Sequence, residues 1–409
     1  RIGSNIPVPG MDRAILADVF SGGTGLFALF DLFSGGAFSN FTIFALGITP
    51  YITASIILQL LTIAIPALER LSKEGTEGRK KIAQYTRYLT VVLALVQSVG
   101  LTVGLFRRAL ISRGAFDVVV IVLTLSAGTA FLMWLGEQIT EFGIGNGISM
   151  ILFAGIVSRA SSMVNTVITE LYLAINGIMK YWFIVPFTLV LFLAAIVFIV
   201  IMTNAERRIP VQYAQRVVGR KMYGGSSTYL PLKINMSGVI PPIFASSILA
   251  VPTLIAQFGN SDQSWVKWIN SNLANTTSVW YIALYALMIV FFCFFYTEIT
   301  FNPDETADNM KQYGGFIPGI RAGSATSNYL SYVMNRLNTV GAVYLLFVAL
   351  IPTVLIMALN LNTKLPFGGT TILIIAGVGL DTLRQAKAQT EQFQYAGFLF
   401  EDTDHKEGK

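Results

Sequence analysis

The chain has very little of what covalent chemistry and disulfides require. Its 409 residues include one cysteine, Cys293, and one histidine, His405. One cysteine excludes an intrachain disulfide and any cysteine cluster for a metal. Cys293 sits in the apolar stretch FFCFF and reads as a small buried hydrophobe, while His405 sits in a charged tail and reads as solvated. With one of each, no Ser–His–Asp or Cys–His arrangement can be built along the apolar segments. No Gly-Lys-Ser/Thr phosphate loop occurs and no dinucleotide fingerprint follows a strand, which argues against nucleotide hydrolysis by the chain itself. The glycine-rich GIGNGIS at 143–149 opens an apolar run instead, and reads as a helix start with close backbone approach.

Charge is equally scarce. Asp, Glu, Lys and Arg make up 12% of the residues, against about 25% in soluble domains. Hydrophobic residues make up 54%, and mean hydropathy is +0.63. Uncharged runs recur from residue 41 to residue 383, so the expectation is an all-α polytopic membrane protein. Nine spans are expected, at about 41–65, 83–106, 116–136, 146–166, 182–204, 237–257, 279–301, 339–359 and 370–383. Nineteen of the 28 Lys and Arg residues fall on one side of these spans and nine, Arg159 among them, on the other. The positive-inside rule makes the richer side cytoplasmic, with the tail 385–409 inside. That parity implies one further span upstream, hence ten in two inverted halves of five, the first being absent or mostly absent here. The halves divide at about residue 180, into 1–180 and 181–384. Inverted repeats are common in transport proteins.

Two cytoplasmic loops are longer than connectors need to be. Loop 205–236 alternates basic and apolar residues around Gly224-Gly225, which suits a projecting hairpin. Loop 302–338 contains Gly-Gly, Pro-Gly and Ala-Gly turn signals that present Arg321 on a shaped tip. Basic shaped loops suit an acidic partner. Within the spans charge is nearly absent: Glu137, Glu298 and Asp381 lie at ends, and no span centre is expected to hold a charge. Ion-coupled carriers usually need such groups, so a solute carrier is the weaker alternative, and an insertase or scaffold without a continuous pore is another.

Residues 32–61, LFSGGAFSNFTIFALGITPYITASIILQLL, are too polar and too broken for an anchor. Gly35-Gly36, Gly47 and Pro50 interrupt the run, and Thr42, Thr49, Thr53, Ser55 and Gln59 interleave it. Such features are tolerated at membrane depth where they face protein or a watery path. SGVIPPIFASSILAVPTLIAQ at 237–257 mirrors it, with Pro241, Pro242 and Pro252 and mid-span Ser246-Ser247. Any one hydroxyl could instead bond back to its own helix.

With those segments, KEGTEGRKKIAQYTRY, ERRIPVQYAQR, FNPDETADNMKQYGGFIPGIR and LPFGGTTILIIAGVGLD, the chain resembles the SecY family of bacterial type, in family order over most of its length. The resemblance implies a ten-span, protein-conducting channel in the bacterial plasma membrane, with no catalytic residue, cofactor or metal. Its partners would be SecE, SecG, the SecA motor ATPase, the ribosome, unfolded polypeptides bearing signal sequences, and membrane lipids. It also implies a plug over about 29–39, including Leu29, Phe30, Phe33, Gly35 and Gly36. A constriction ring would be made by Ile48, Ile52, Ile148, Leu152, Ile243 and Ile374, with Leu152 replacing a frequent isoleucine. A lateral gate would use Thr53, Gln59, Ser246 and Ser247 as polar contacts. Arg207, Arg208, Arg216, Arg220, Lys221 and Arg321 would meet the motor or the ribosome. The tail after Arg384 and the segment 107–120 depart from the family pattern.

Overall fold

A computed structural model describes residues 2–11, 31, 34–105, 109–111, 114–175, 179–213, 216–218, 221–223, 227–258, 263–358 and 369–401. The chain is dominated by helices: α1 (Thr49–Ala64), α2 (Pro66–Lys73), α3 (Thr76–Val99), α4 (Ala115–Phe142), α5 (Gly147–Ser158), α6 (Ala160–Ile175) and α7 (Met179–Asn204). After a β-rich stretch come α8 (Ile240–Phe258), α9 (Ser264–Asn272), α10 (Val279–Thr300), α11 (Pro303–Gln312), α12 (Ser324–Ala358) and α13 (Gly369–Glu401). Among the described residues, five helical stretches are long and apolar enough to cross a membrane, and α1 with α2 forms a sixth if that bent pair is one span. On α7 the side chains of Val190, Leu193, Val197 and Ile201, spaced by three or four, all point outward and are more than half exposed. An apolar outer face of this kind belongs against lipid. This is a multi-pass membrane protein.

Local sequence explains where the helices start and stop, and it corrects several expected boundaries. The expected span 41–65 is helical only from Thr49. Phe41 and Gly47 take left-handed backbone, φ 42° and 57°, and Pro50 then supplies a helix start whose missing N–H is not needed. Pro66 forces Ile65 into extended backbone, φ −110° and ψ 111°, and α2 leaves α1 at 102°. The expected span 146–166 is two helices that break at Arg159. Asn146 starts the first, its Oδ1 accepting the N–H groups of Ile148 (3.0 Å) and Ser149 (3.2 Å). The expected loop 302–338 ends early, because α12 begins at Ser324, and α13 continues well past Arg384 into the expected tail.

Loops 205–236 and 302–338 share one three-stranded sheet. Strand β1 (Glu206–Tyr213) pairs antiparallel with β4 (Ser227–Lys233), from Glu206↔Lys233 to Gln212↔Ser227, and its far end pairs with β5 (Gly315–Phe316). Short strands β2 (Arg216–Val218) and β3 (Lys221–Tyr223) make the hairpin tip. Alternation places Ile209, Val211 and Leu232 inward against Met310, Ile317 and Leu330, while Arg207 and Arg208 face solvent.

Beyond the α6–α7 pair, two seams join the helices before residue 175 to those after 179. In one, α8 packs on α1 and on the π-type turn Gly100–Leu105 that extends α3; in the other, α5 packs on α13. Close approach at GIGNGIS comes from two glycines facing each other across α4 and α5: a Cβ on Gly147 would lie 1.9 Å from the Gly136 carbonyl oxygen.

Candidate functional site

All six aliphatic residues expected to form a ring meet in one apolar cluster. Ile48 immediately precedes α1 and Ile52 is on its first turn; Ile148 and Leu152 come from α5, Ile243 from α8 and Ile374 from α13. These are the four helices of the two seams, so the cluster lies where both seams converge. Ile48, Leu152 and Ile374 are buried, and Ile156 and Val378 extend the same stripes one helical turn further. Sequence reading passed over Tyr51, Ile156, Ile375 and Val378, although the spacing of four from Leu152 and from Ile374 marks two of them. Among the described cluster side chains the polar atoms are the Tyr51 hydroxyl and the Met150 sulfur, which accepts the Thr382 hydroxyl at 3.4 Å.

The segment before α1 folds back onto the end of α5. Leu29, Phe30 and Phe33 lie outside the described residues. Gly35 and Gly36 have φ of 65° and 88°, and the backbone of Gly35 sits on the end of α5. A Cβ on Gly35 would fall 2.8 Å from Ser158 Oγ and 3.1 Å from the Gly155 carbonyl oxygen. Ser34 lies beside Gly47, next to Ile48. The Ser34 hydroxyl accepts the Phe38 N–H at 3.1 Å and donates to the Asp31 carbonyl at 3.2 Å.

A charged pair lies at the end of α5: Asp31 Oδ2 is 2.6 Å from Arg159 Nη1, and Asp31 is buried. The pairing is tertiary. The chain breaks at Arg159, and a segment from outside the span returns to meet it.

At the α1–α8 seam a cavity of about 30 Å³ is lined by Phe38, Thr49, Thr53, Gln97, Ser247 and Val251, among others. Thr53 and Ser247 therefore share one space, as expected for facing gate residues, whereas Gln59 and Ser246 do not line it. Thr53 donates to the Thr49 carbonyl (3.1 Å) and Ser246 to the Ile243 carbonyl (2.8 Å). Their protons are thus spent within their own helices rather than across the seam, because an apolar neighbourhood leaves a backbone carbonyl as the nearest acceptor. Gln97 is the polar residue the sequence reading missed.

The basic residues divide. Arg207 and Arg208 are exposed on β1, with Arg208 Nε 2.7 Å from Glu206 Oε1. Arg216 and Lys221 belong to β2 and β3, and Arg220 lies outside the described residues. Arg321 stands between Gly319 and Gly323, both at positive φ, and its carbonyl accepts the Thr326 hydroxyl at 2.8 Å. Arg87 pairs with Glu137 at 2.7 Å and ties α3 to α4. Arg384 reaches the Thr203 carbonyl (3.3 Å) and Asn204 Oδ1, tying α13 to α7. Cys293 is buried as expected but is more than a hydrophobe: its Sγ donates to Asn338 Oδ1 at 3.1 Å, and Thr297 Oγ1 donates to the same oxygen at 3.0 Å.

A family model described as SecY matches residues 42–383. The chain is 50% identical, over 98% of its own length and 93% of the relative's, to the protein translocase subunit SecY of Streptomyces coelicolor. The chain belongs to the SecY family. Its fold agrees with that membership: it superposes on a solved protein-conducting channel with a TM-score of 0.64, at 19% identity, covering 95% of this chain and 89% of that one. A canine Sec61 structure from a ribosome–channel complex of the endoplasmic reticulum gives a TM-score of 0.56 at 19% identity, over 86% of this chain and 82% of that one. As a SecY-family chain it is a channel protein and not an enzyme.

Proposed function

We propose that the chain is the channel-forming subunit of a protein translocase in a bacterial plasma membrane. It passes unfolded secretory polypeptides across and releases signal sequences and membrane helices sideways into lipid. The observation that carries this reading is the convergence of six aliphatic side chains from the four seam helices. A narrow aliphatic constriction offers nothing to replace an ion's hydration shell, so it dewets and resists leak. Such a ring also has no fixed preference for any passing side chain. Opening the α1–α8 seam would let an apolar signal helix leave water for lipid, worth about 25 cal/mol per Å² of apolar area transferred.

In this reading residues 29–39 are the plug, and the halves 1–180 and 181–384 part along the α1–α8 seam. The cytoplasmic sheet and the Arg321 tip receive a ribosome or the SecA motor, with SecE and SecG completing the complex. The similarity to a ribosome-associated Sec61 supports the first of those partners. Crosslinking tests the path. A stalled precursor is expected to react with cysteines placed at Ile48, Ile243 and Ile374. A precursor that engages the complex and never reaches those positions overturns the ring. Arg321→Glu is expected to stop motor-driven transport in a folded complex, and unchanged transport removes that assignment.

A further inference from the structure

We propose that Asp31 and Arg159 form a latch that holds the segment 34–39 against the end of α5, the helix that supplies Ile148 and Leu152, and thereby sets how readily the resting channel opens. This rests on the plug reading above and adds to it the residues that fasten the plug. Both Asp31 carboxylate oxygens are engaged: Oδ2 by Arg159 Nη1 at 2.6 Å and Oδ1 by the Ser39 N–H at 2.7 Å. The carboxylate thus joins the two ends of the segment to each other and to the end of α5. The Arg159 side chain passes beneath Gly36, whose Cβ would lie 3.6 Å from Nε, so the glycine leaves it room. The Arg159 N–H bonds the Ile156 carbonyl at 3.1 Å, one residue from Gly155 and within the ring cluster. The fastening therefore acts on the helix that supplies Ile148 and Leu152.

The chemistry suits a fastener that must release. A buried carboxylate or guanidinium is tolerated when paired and costly when left alone. Once the segment swings into an aqueous funnel, both groups hydrate and neither stays orphaned. A purely apolar fastener would instead expose its area to water on every opening. The pair thus favours two states, seated or fully released. Asp31 and Arg159 are positioning residues; neither needs to touch the passing polypeptide.

The test uses the full chain with its partner subunits in proteoliposomes. Resting ion conductance and transport of a precursor with a weakened signal sequence are measured together. Charge-assisted hydrogen bonds shift a two-state equilibrium by roughly tenfold to a hundredfold. Asp31→Asn and Arg159→Gln are each expected to raise both readouts by about tenfold or more, and Asp31→Glu, which keeps the charge, to stay near wild type. The double variant is expected to match the worse single variant, since both remove one contact. A merely structural pair would lower thermal stability without changing conductance. The latch is overturned if Asp31→Asn conducts like wild type, if the two singles add in the double variant, or if Asp31→Glu leaks as much as Asp31→Asn. Deleting residues 29–39 separates this from the plug reading. If the deletion leaks while Asp31→Asn does not, the plug stands and the latch falls; if the deletion does not leak, the plug reading falls.

Discussion

Replacing Gly35 by alanine should unseat the segment from the end of α5, by an amount the geometry sets. Two separate penalties apply. The first is backbone strain: φ is 65°, a conformation that costs an L-residue about 1–2 kcal/mol. The second is steric. The new methyl would sit 3.1 Å from the Gly155 carbonyl oxygen and 3.2 Å from its Cα, and helical backbone does not yield cheaply. Ser158 Oγ, 2.8 Å away, is held by its own bond to the Gly155 carbonyl at 2.7 Å. Overpacking of this kind costs about 1–3 kcal/mol. Together they amount to roughly 2–5 kcal/mol, all of it relieved on displacement, or about 30-fold to several thousandfold in the seated-to-displaced ratio. Conductance of proteoliposomes at matched protein content reads this directly. Two glycines serve as controls. Gly36→Ala adds strain at φ 88° with no neighbour closer than 3.6 Å, and should leak less than Gly35→Ala. Gly75→Ala, at φ 77° and ψ −137° with nothing within 4 Å, should lower stability by about 1–3 kcal/mol and leave conductance alone. The reasoning is refuted if Gly35→Ala conducts like wild type while Gly75→Ala shows its expected loss of stability.

Further expectations concern packing and charge elsewhere. Gly147→Ala must push α5 off α4, since its Cβ would meet the Gly136 oxygen at 1.9 Å; a marked fall in the detergent unfolding temperature checks it, and an unchanged temperature counts against the close crossing. Asn338→Leu removes the acceptor of the Cys293 thiol and should cost about 1–3 kcal/mol in the same assay. Cys293→Ala should be milder, because it takes away the donor and leaves Asn338 its bond from Thr297. On α2, Lys73 bonds Glu69 at 2.7 Å and holds its carboxyl below the usual range. Because the folded value is depressed, that pairing is present at neutral pH and disappears as pH falls through the lowered value. Hydrogen exchange across α2, corrected for intrinsic rates, should show this dependence in the wild type and not in Glu69→Gln.

Much of the architecture was legible because it depends on local chemistry. Apolar run length gave a multi-pass membrane chain, and GIGNGIS read as a helix start, which Asn146 caps. The alternation in ERRIPVQY showed a strand before any pairing was known. The helix start at Thr49 was harder to read. Residues 41–48 are as apolar as a span, and only the left-handed backbone at Phe41 and Gly47 keeps them out of the helix. The extent of α13 was missed for the opposite reason, since helix propensity carries it beyond the apolar stretch that hydropathy detects.

The candidate site was legible only in part. The six aliphatic residues came from a family resemblance, and hydropathy alone gives no reason to prefer Ile374 to Ile372. Direction was also hidden: whether the Thr53 and Ser246 hydroxyls face a seam or their own carbonyls depends on rotamers, and both turned inward to the helix. By itself the sequence determined that this chain lives in a membrane and which loops carry positive charge. These follow from neighbouring residues and from transfer to lipid. Tertiary structure alone decided that β5 joins β1 across about a hundred residues, that four helices bring their aliphatic stripes to one cluster, and that Asp31 meets Arg159. Each of those is a contact between distant positions. Only the folded chain supplies the low-dielectric surroundings in which a lone charge must find its partner.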